Sequence, residues 1–153
     1  MTKENYVREV QRCQGSMYRV ALTILRNDDD VRDALQEAAL KAWEKRHTLR
    51  EEAYFGTWMT RIVINVCHQM HRKRKREVLM DELPEASQPF SGLTLRLVLE
   101  TLPEQLRLPL VLKCVEGMSD EEVAGILHLT QSAVRSRIHR ARVQLRKELG
   151  EHE

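Results

Sequence analysis

The sequence predicts an all-α fold: two small helical domains joined by a flexible linker. Six glycines, four prolines and seven aromatic residues in 153 positions supply few turn formers and few rings for a β protein. Apolar residues recur at helical spacing in both halves of the chain. Between the halves, residues 78–91 hold Pro84 and Pro89 and lose the helical period, as a linker does. The expected domains are therefore 1–77 and 92–153. A hydrophobic content of 42% supports a core in each.

In the first domain, Met17, Val20, Ala21, Ile24 and Leu25 mark one helix. The Asn27–Asp30 cluster supplies an N-cap for the next, whose buried stripe is Ala34, Leu35, Ala38, Ala42 and Trp43. A third helix is expected from about Ala53 to Arg76, with Trp58, Ile62, Val66 and Met70 on its apolar face. The second domain opens with Leu95, Val98, Leu99 and Leu102. Pro103 suits a first helical turn. That helix runs to about Val115, with a kink expected at Pro109. Gly117 ends it, and Ser119 with Glu122 makes a capping box for a short helix that turns Val123, Ala124 and Leu127 inward. A tight turn follows at about His128–Leu129. Thr130 then caps a last helix with Val134, Ile138, Ala141 and Leu145 as its core stripe.

Charge tells little until it is located. The 25 Lys+Arg against 23 Asp+Glu leave a net +2, which excludes a histone-like polycation and gives no reason to expect nucleic acid. Locally the balance dissolves. Asp28, Asp29, Asp30, Asp33 and Glu37 stand against Arg32 alone. Arg61, Arg72, Lys73, Arg74, Lys75 and Arg76 form an acid-free basic run, followed by Glu77, Asp81, Glu82 and Glu85. A second acid-free run holds Arg135, Arg137, Arg140, Arg142, Arg146 and Lys147. Such asymmetry assigns different partners to different segments.

Three faces carry chemistry. The strongest is Ser119–Leu145, with the caps, turn length and basic second helix of a helix-turn-helix. Gln131, Arg135, Ser136, His139 and Arg142 lie on one face of that helix and are its candidate DNA contacts, since arginines read guanine edges or grip phosphate. An amphipathic hairpin with a solvated basic face is the alternative. On the third helix, Arg61, Asn65, His68, Arg72 and Arg76 recur in steps of four, three, four and four and share one side. An amide among arginines suits a base flanked by phosphates, and Tyr54, Phe55 and Trp58 upstream are placed to stack on unpaired bases. Against this stands a plain solvated face with Trp58 in the core. On the second helix, Asp33, Gln36, Glu37, Leu40 and Glu44 make an acidic strip with one apolar residue, which suits docking on another protein's helices or a solvated surface equally.

Other classes of function find no residues. Cys67 and His71 lack a second pair to complete a metal site. Neither a Ser/His/Asp order, a paired-carboxylate spacing nor a phosphate-cradling glycine loop is present. Neither catalysis, cofactor, metal nor small-molecule substrate is expected. No apolar stretch approaches the roughly 20 residues of a membrane span, and the MTKENYVREV start has no signal-peptide core. Cys13, Cys67 and Cys114, odd in number and without CxxC spacing, fit the reducing cytoplasm.

Four stretches resemble the extracytoplasmic-function group of bacterial RNA polymerase sigma factors: DALQEAALKAWEK (Asp33–Lys45), FGTWMTRIVINVCHQMHRKRKR (Phe55–Arg76), LPEQLRLPLVLKCVEGMSDEEVAGIL (Leu102–Leu127) and VRSRIHRARVQLR (Val134–Arg146). They follow the family's order and span nearly the whole chain, which has no room for the extra domains of primary sigma factors. The resemblance implies that 1–77 clamps core polymerase and opens the promoter -10 element. Asp33, Gln36, Glu37, Leu40 and Trp43 would meet the clamp helices. Leu49, Arg50, Tyr54, Phe55, Arg61, Asn65, His68 and Arg72 would hold the non-template strand, with an extruded base at the Leu49–Phe55 loop and Asn65. Flipping a base costs a few kcal/mol, which such a pocket must offset. The domain 92–153 would read the -35 element as duplex, with Arg135, Ser136, His139 and Arg140 at base- and backbone-reading positions and Gln131, Ser132 and Arg142 beside them, and would meet the polymerase flap; the linker would thread toward the RNA exit path. A membrane-bound anti-sigma factor is the implied restraint. Two departures stand out: His128 replaces a turn glycine, which requires a wider turn or a left-handed histidine, and Arg50-Glu51-Glu52 replace shorter polar residues in the loop. A helix-turn-helix regulator with a sensing or dimerising first domain is the competing class, distinguished by binding its duplex without polymerase. An RNA-binding adaptor, the third class, would prefer single strands and need no -35-like duplex.

Overall fold

The computed structural model describes residues 1–78 and 101–150, with side chains up to residue 73 in the first stretch. Two compact units divide the chain, Met1–Gln88 and Pro89–Glu153. The linker 78–91, beyond Val78 itself, and Leu95, Val98 and Leu99 lie outside the described residues. So does the Arg76 side chain.

The described residues of the first unit form a three-helix bundle. Helix α1 spans Lys3–Leu25, α2 Asp28–Glu44 and α3 Phe55–Val78. Thr2 starts α1 by accepting from the Asn5 amide at 3.2 Å. The buried side of α1 then runs Tyr6, Cys13, Met17, Val20, Ala21 and Ile24, at helical spacing. The helix therefore begins well before the Met17 stripe; Leu22 is buried and Leu25 only half-buried. Arg26 closes it in the left-handed region at φ 60°, its N–H on the Leu22 carbonyl at 3.0 Å. Asn27 immediately caps α2 by accepting from Asp30 N at 3.2 Å, so the connection is short and the two helices run antiparallel. Val31, Ala34, Ala38 and Ala42 are fully buried along α2.

Helix α3 corrects one sequence expectation. Its core side is Phe55, Met59, Val63, Val66 and Cys67, each 1% exposed or less, whereas Trp58, Ile62 and Met70 are half-buried. The run Ile62-Val63-Ile64 is apolar all round, so periodicity alone could not choose among adjacent faces. Packing against both α1 and α2 selected the neighbouring one. The helix starts at Phe55, two residues later than expected, after a 3-10 turn at Glu52–Tyr54.

In the second unit α4 spans Glu104–Leu110, α5 Asp120–Leu127 and α6 Gln131–Gly150. Pro103 precedes α4 as its N-cap rather than lying in its first turn. Beyond Pro109 the helix widens into a π turn, Val111–Val115, where Glu116 N–H reaches the Val111 carbonyl at 3.0 Å. Gly117 ends it at φ +73°. The expected capping box is present: Glu122 N–H donates to Ser119 Oγ at 3.1 Å, and Ser119 N–H to Glu122 Oε1 at 3.1 Å. Val123, Ala124 and Ile126 face inward, with Leu127 only half-buried. His128 takes the left-handed solution, at φ 57° and ψ 44°, and Thr130 caps α6 by accepting from Ala133 N at 3.0 Å. Val134, Ile138 and Ala141 are buried, and Leu145 is half-buried.

Two stability measurements test these details. An L residue in the left-handed region costs about 1–2 kcal/mol, and glycine's chain entropy returns part of it. His128→Gly should therefore raise stability in urea by about 0.5–1 kcal/mol, and a fall would contradict the left-handed turn. Tyr18 donates to Asp28 Oδ1; burial, with that bond second, pushes its hydroxyl from 10.0 up to about 12. The neutral phenol is favoured in the fold, so its contribution is full below pH 10 and lost on rising toward pH 12. Tyr18→Phe should flatten that alkaline limb of the unfolding curve.

Candidate nucleic-acid interface

The last helix projects the expected contacts outward. Gln131, Ser132, Arg135, Ser136, His139, Arg140 and Arg142 are all exposed, opposite the Val134–Ile138–Ala141 stripe. At roughly 100° per residue, Arg135 and Arg140 stand about 140° apart and flank Ser132, Ser136 and His139. That spread suits a helix in a groove, with Arg135 able to reach a base edge beside Ser132, Ser136 and His139, and Arg140 able to reach a phosphate on the wall. Arg142 is partly engaged: its Nη2 donates to Cys114 Sγ on the π turn at 3.5 Å, a contact sequence spacing does not reveal. An open hollow of about 620 Å³ lies beside His139, Arg140, Val143, Gln144, Lys147 and Glu148. Its lining is mostly basic and amide, without paired carboxylates.

On α3, Arg61, Asn65 and Arg72 are exposed and His68 is half-buried. The stripe that spacing places on one side therefore does reach solvent at three of its described members. Upstream, the two aromatics adjacent in sequence part company. Tyr54 is 62% exposed and Phe55 is 0% exposed. Phe55 lies edge-on to Tyr6 at 6.1 Å and tilted on Trp58 at 5.6 Å. A ring sealed in this way cannot stack on a base, so Phe55 leaves the set of candidate strand contacts. The α3 start turns it inward.

The segment between α2 and α3 is built on indoles. Tyr6 packs 5.1 Å from Trp43, and its hydroxyl donates to the Ala39 carbonyl. The Arg46 guanidinium covers Trp43 at 3.8 Å, and Arg46 Nη1 donates to the Trp43 carbonyl at 2.8 Å. Trp58 Nε1 donates to Thr48 Oγ1 at 3.2 Å. Leu49 is half-buried and Arg50 exposed at the turn these contacts support. Sequence reasoning missed Tyr6, Arg46 and Thr48. Arg46 at three residues beyond Trp43 was the available signal.

On α2, Asp33, Gln36, Glu37 and Leu40 share an exposed side, and Leu40 is 66% exposed. Glu37 is not an isolated carboxylate: Lys41 pairs with it at 3.3 Å and donates to Gln69 at 3.3 Å. Trp43 sits at the flank of this face, half-buried under Arg46, so only part of its ring is available to a partner. Among the described residues no group of acids, histidines and cysteines could hold a metal ion. No helix there is long and apolar enough to cross a membrane.

Comparison with known proteins matches these faces to two family models. Sigma-70 region 2 matches residues 10–77, and Sigma-70, region 4 matches residues 93–145. The ECF RNA polymerase sigma factor SigE of Mycolicibacterium smegmatis is 33% identical over 151 residues; the match covers 89% of this chain and 58% of that protein. The RNA polymerase sigma-E factor of Streptomyces coelicolor is 31% identical over 153 residues, covering 95% of this chain and 85% of the relative. Among solved structures, the sigma factor RpoE of Bartonella quintana in complex with the anti-sigma factor NepR has a TM-score of 0.83 at 24% identity, covering 96% of this chain and 98% of that one. At that identity the likeness is one of fold.

The division between Tyr54 and Phe55 is directly measurable. Phe55→Ala should cost about 3–5 kcal/mol of stability, while Tyr54→Ala should stay within about 0.5 kcal/mol of the parent. Comparable losses by chemical denaturation would contradict the inward placement of Phe55.

Proposed function

The chain belongs to the sigma-70 family of RNA polymerase sigma factors, in its extracytoplasmic-function group, and on that premise we propose that it binds core RNA polymerase and directs promoter-specific initiation in the cytoplasm. It supplies recognition, and the polymerase supplies the chemistry. The observation that carries this reading is the pairing, in one chain, of an exposed Leu40 among carboxylates on α2 with a basic helix-turn-helix in the other unit. A duplex-binding regulator uses the second; the first serves it only if the chain dimerises through that face, and the matches to both sigma-70 regions favour the polymerase instead.

In this reading Asp33, Gln36, Glu37, Leu40 and the open edge of Trp43 dock on the polymerase clamp helices. Apolar contact at Leu40 supplies affinity, and the acids supply orientation and rate of encounter. Leu49, Arg50 and Tyr54 with Arg61, Asn65, His68 and Arg72 hold the non-template strand of the -10 element. Stacking on Tyr54 and hydrogen bonds from the Asn65 amide offset the cost of extruding a base. Helix α6 enters the -35 major groove through Gln131, Ser132, Arg135, Ser136 and His139, with Arg140 and Arg142 on phosphates. The second unit also meets the polymerase flap, and the 78–91 linker lies along the RNA exit path. The Bartonella quintana structure holds its sigma factor with an anti-sigma factor, and a restraining partner of that kind is proposed for this chain as well.

Purified chain should co-purify with core polymerase and yield a run-off transcript from a promoter mapped on overproduction; failure of both sinks the reading. Arg135→Ala with Arg140→Ala should reduce transcription about ten-fold or more, roughly 1–3 kcal/mol from the lost base contact of Arg135 with the lost phosphate contact of Arg140 added to it, and core affinity should be unchanged. Reversing Asp33 and Glu37 to Lys should instead weaken core affinity. Were the two sets of variants to lose the same step, the division of labour would be wrong.

A further inference from the structure

We infer that Trp58 and Thr48 are positioning residues that hold the 49–54 loop in its strand-binding shape before DNA arrives. The inference rests on the reading of that loop as the -10 single-strand site. The Trp58 indole N–H donates to Thr48 Oγ1 at 3.2 Å, and the same hydroxyl donates onward to the Lys45 carbonyl at 2.7 Å. Lys45 is the C-cap of α2, with its own N–H on the Lys41 carbonyl at 3.0 Å. One hydroxyl therefore relays between the first turn of α3 and the last turn of α2, across the mouth of the loop. The loop's far end is held at the same indole: Tyr54 N–H donates to the Glu51 carbonyl at 3.1 Å, and buried Phe55 leans on the Trp58 ring at 5.6 Å. Leu49, Arg50 and Glu51 span the interval between these two fixed points.

The bond's position separates this role from ordinary core packing. Thr48 is exposed and Trp58 half-buried. A hydrogen bond in such a place adds little to global stability, and packing alone would need the ring but not its N–H. What the relay does provide is order in a segment that a strand would otherwise have to organise on binding, and removing that cost raises affinity. Loss of one such bond corresponds to about two- to ten-fold in a binding constant.

The test uses core polymerase reconstituted with the full chain and a fluorescent promoter fragment, taken upstream of a start site mapped on overproduction and pre-melted over its -10 element. Trp58→Phe keeps a ring and removes the N–H; Thr48→Val keeps the shape and removes the hydroxyl; Thr48→Ser keeps the hydroxyl. Trp58→Phe and Thr48→Val should each weaken fragment binding about three- to ten-fold and narrow the discrimination among bases at the extruded position. Thr48→Ser should restore both; core affinity should match the parent in every variant, and melting temperature should match it in the two Thr48 variants. The double variant Trp58→Phe with Thr48→Val should be no worse than Thr48→Val alone, since both remove one relay. Unchanged fragment affinity in Thr48→Val, an equal loss in Thr48→Ser, or additive losses in the double variant each overturn the inference. If Trp58→Phe does not fold, the two Thr48 variants still decide it. Parent chain that fails to bind core polymerase overturns the sigma-factor reading itself, which is a different result from parent and variants binding alike.

Discussion

Four rings meeting at one end of the three-helix bundle set the conditions for everything the first unit does. Tyr6 comes from the start of α1, Trp43 from the end of α2, and Phe55 and Trp58 from the start of α3. Burying Phe55 completely and Tyr6 nearly so contributes several kcal/mol of apolar transfer, concentrated where the chain must cross from α2 to α3. The crossing segment is short, polar and without a core of its own. It acquires definite shape because one indole lies under Arg46 and another donates to Thr48. Shape in a surface segment is thus borrowed from a hydrophobic contact made by its neighbours.

The second unit relies on departures from regular helix. Pro109 has no N–H to give, and past it the backbone adopts a π turn before Gly117 reverses direction. Lys113 then pairs with Asp120 at 2.5 Å, tying the π turn to the first turn of α5. A left-handed His128 completes the route into α6. Each irregularity places a regular helix. The basic residues of α6 are exposed because Val134, Ile138 and Ala141 are committed inward, and those are committed inward because the turn before them is tight.

Much of this was legible in the sequence, and the part that was not has a common cause. Caps are local chemistry, and Asn27, Ser119 and Thr130 all act where spacing placed them. The α6 stripe is unambiguous because arginines surround it. On α3, by contrast, Ile62, Val63 and Ile64 offer apolar groups to three directions, and only the approach of two other helices decides between them. The same tertiary contact decides the fate of Phe55 against Tyr54, two aromatics indistinguishable by composition. Tyr6 escaped notice for a related reason: a lone tyrosine in a polar N-terminal stretch has no periodic neighbours to mark it, and its partners lie 33 residues and more away. The π turn left no trace beyond Pro109.

The alanine seam of α2 bears on how such a protein can change. Ala34, Ala38 and Ala42 are each 0% exposed and meet their neighbours with a methyl group apiece. Any larger residue there would force the helices apart, so the inward side admits almost no variation. The outward side, one half-turn away, touches nothing the bundle needs. Asp33, Gln36, Glu37 and Leu40 are exposed, so they can be replaced without repacking the core, and the surface this side presents can change while the architecture stays. The narrowness of one side is what frees the other.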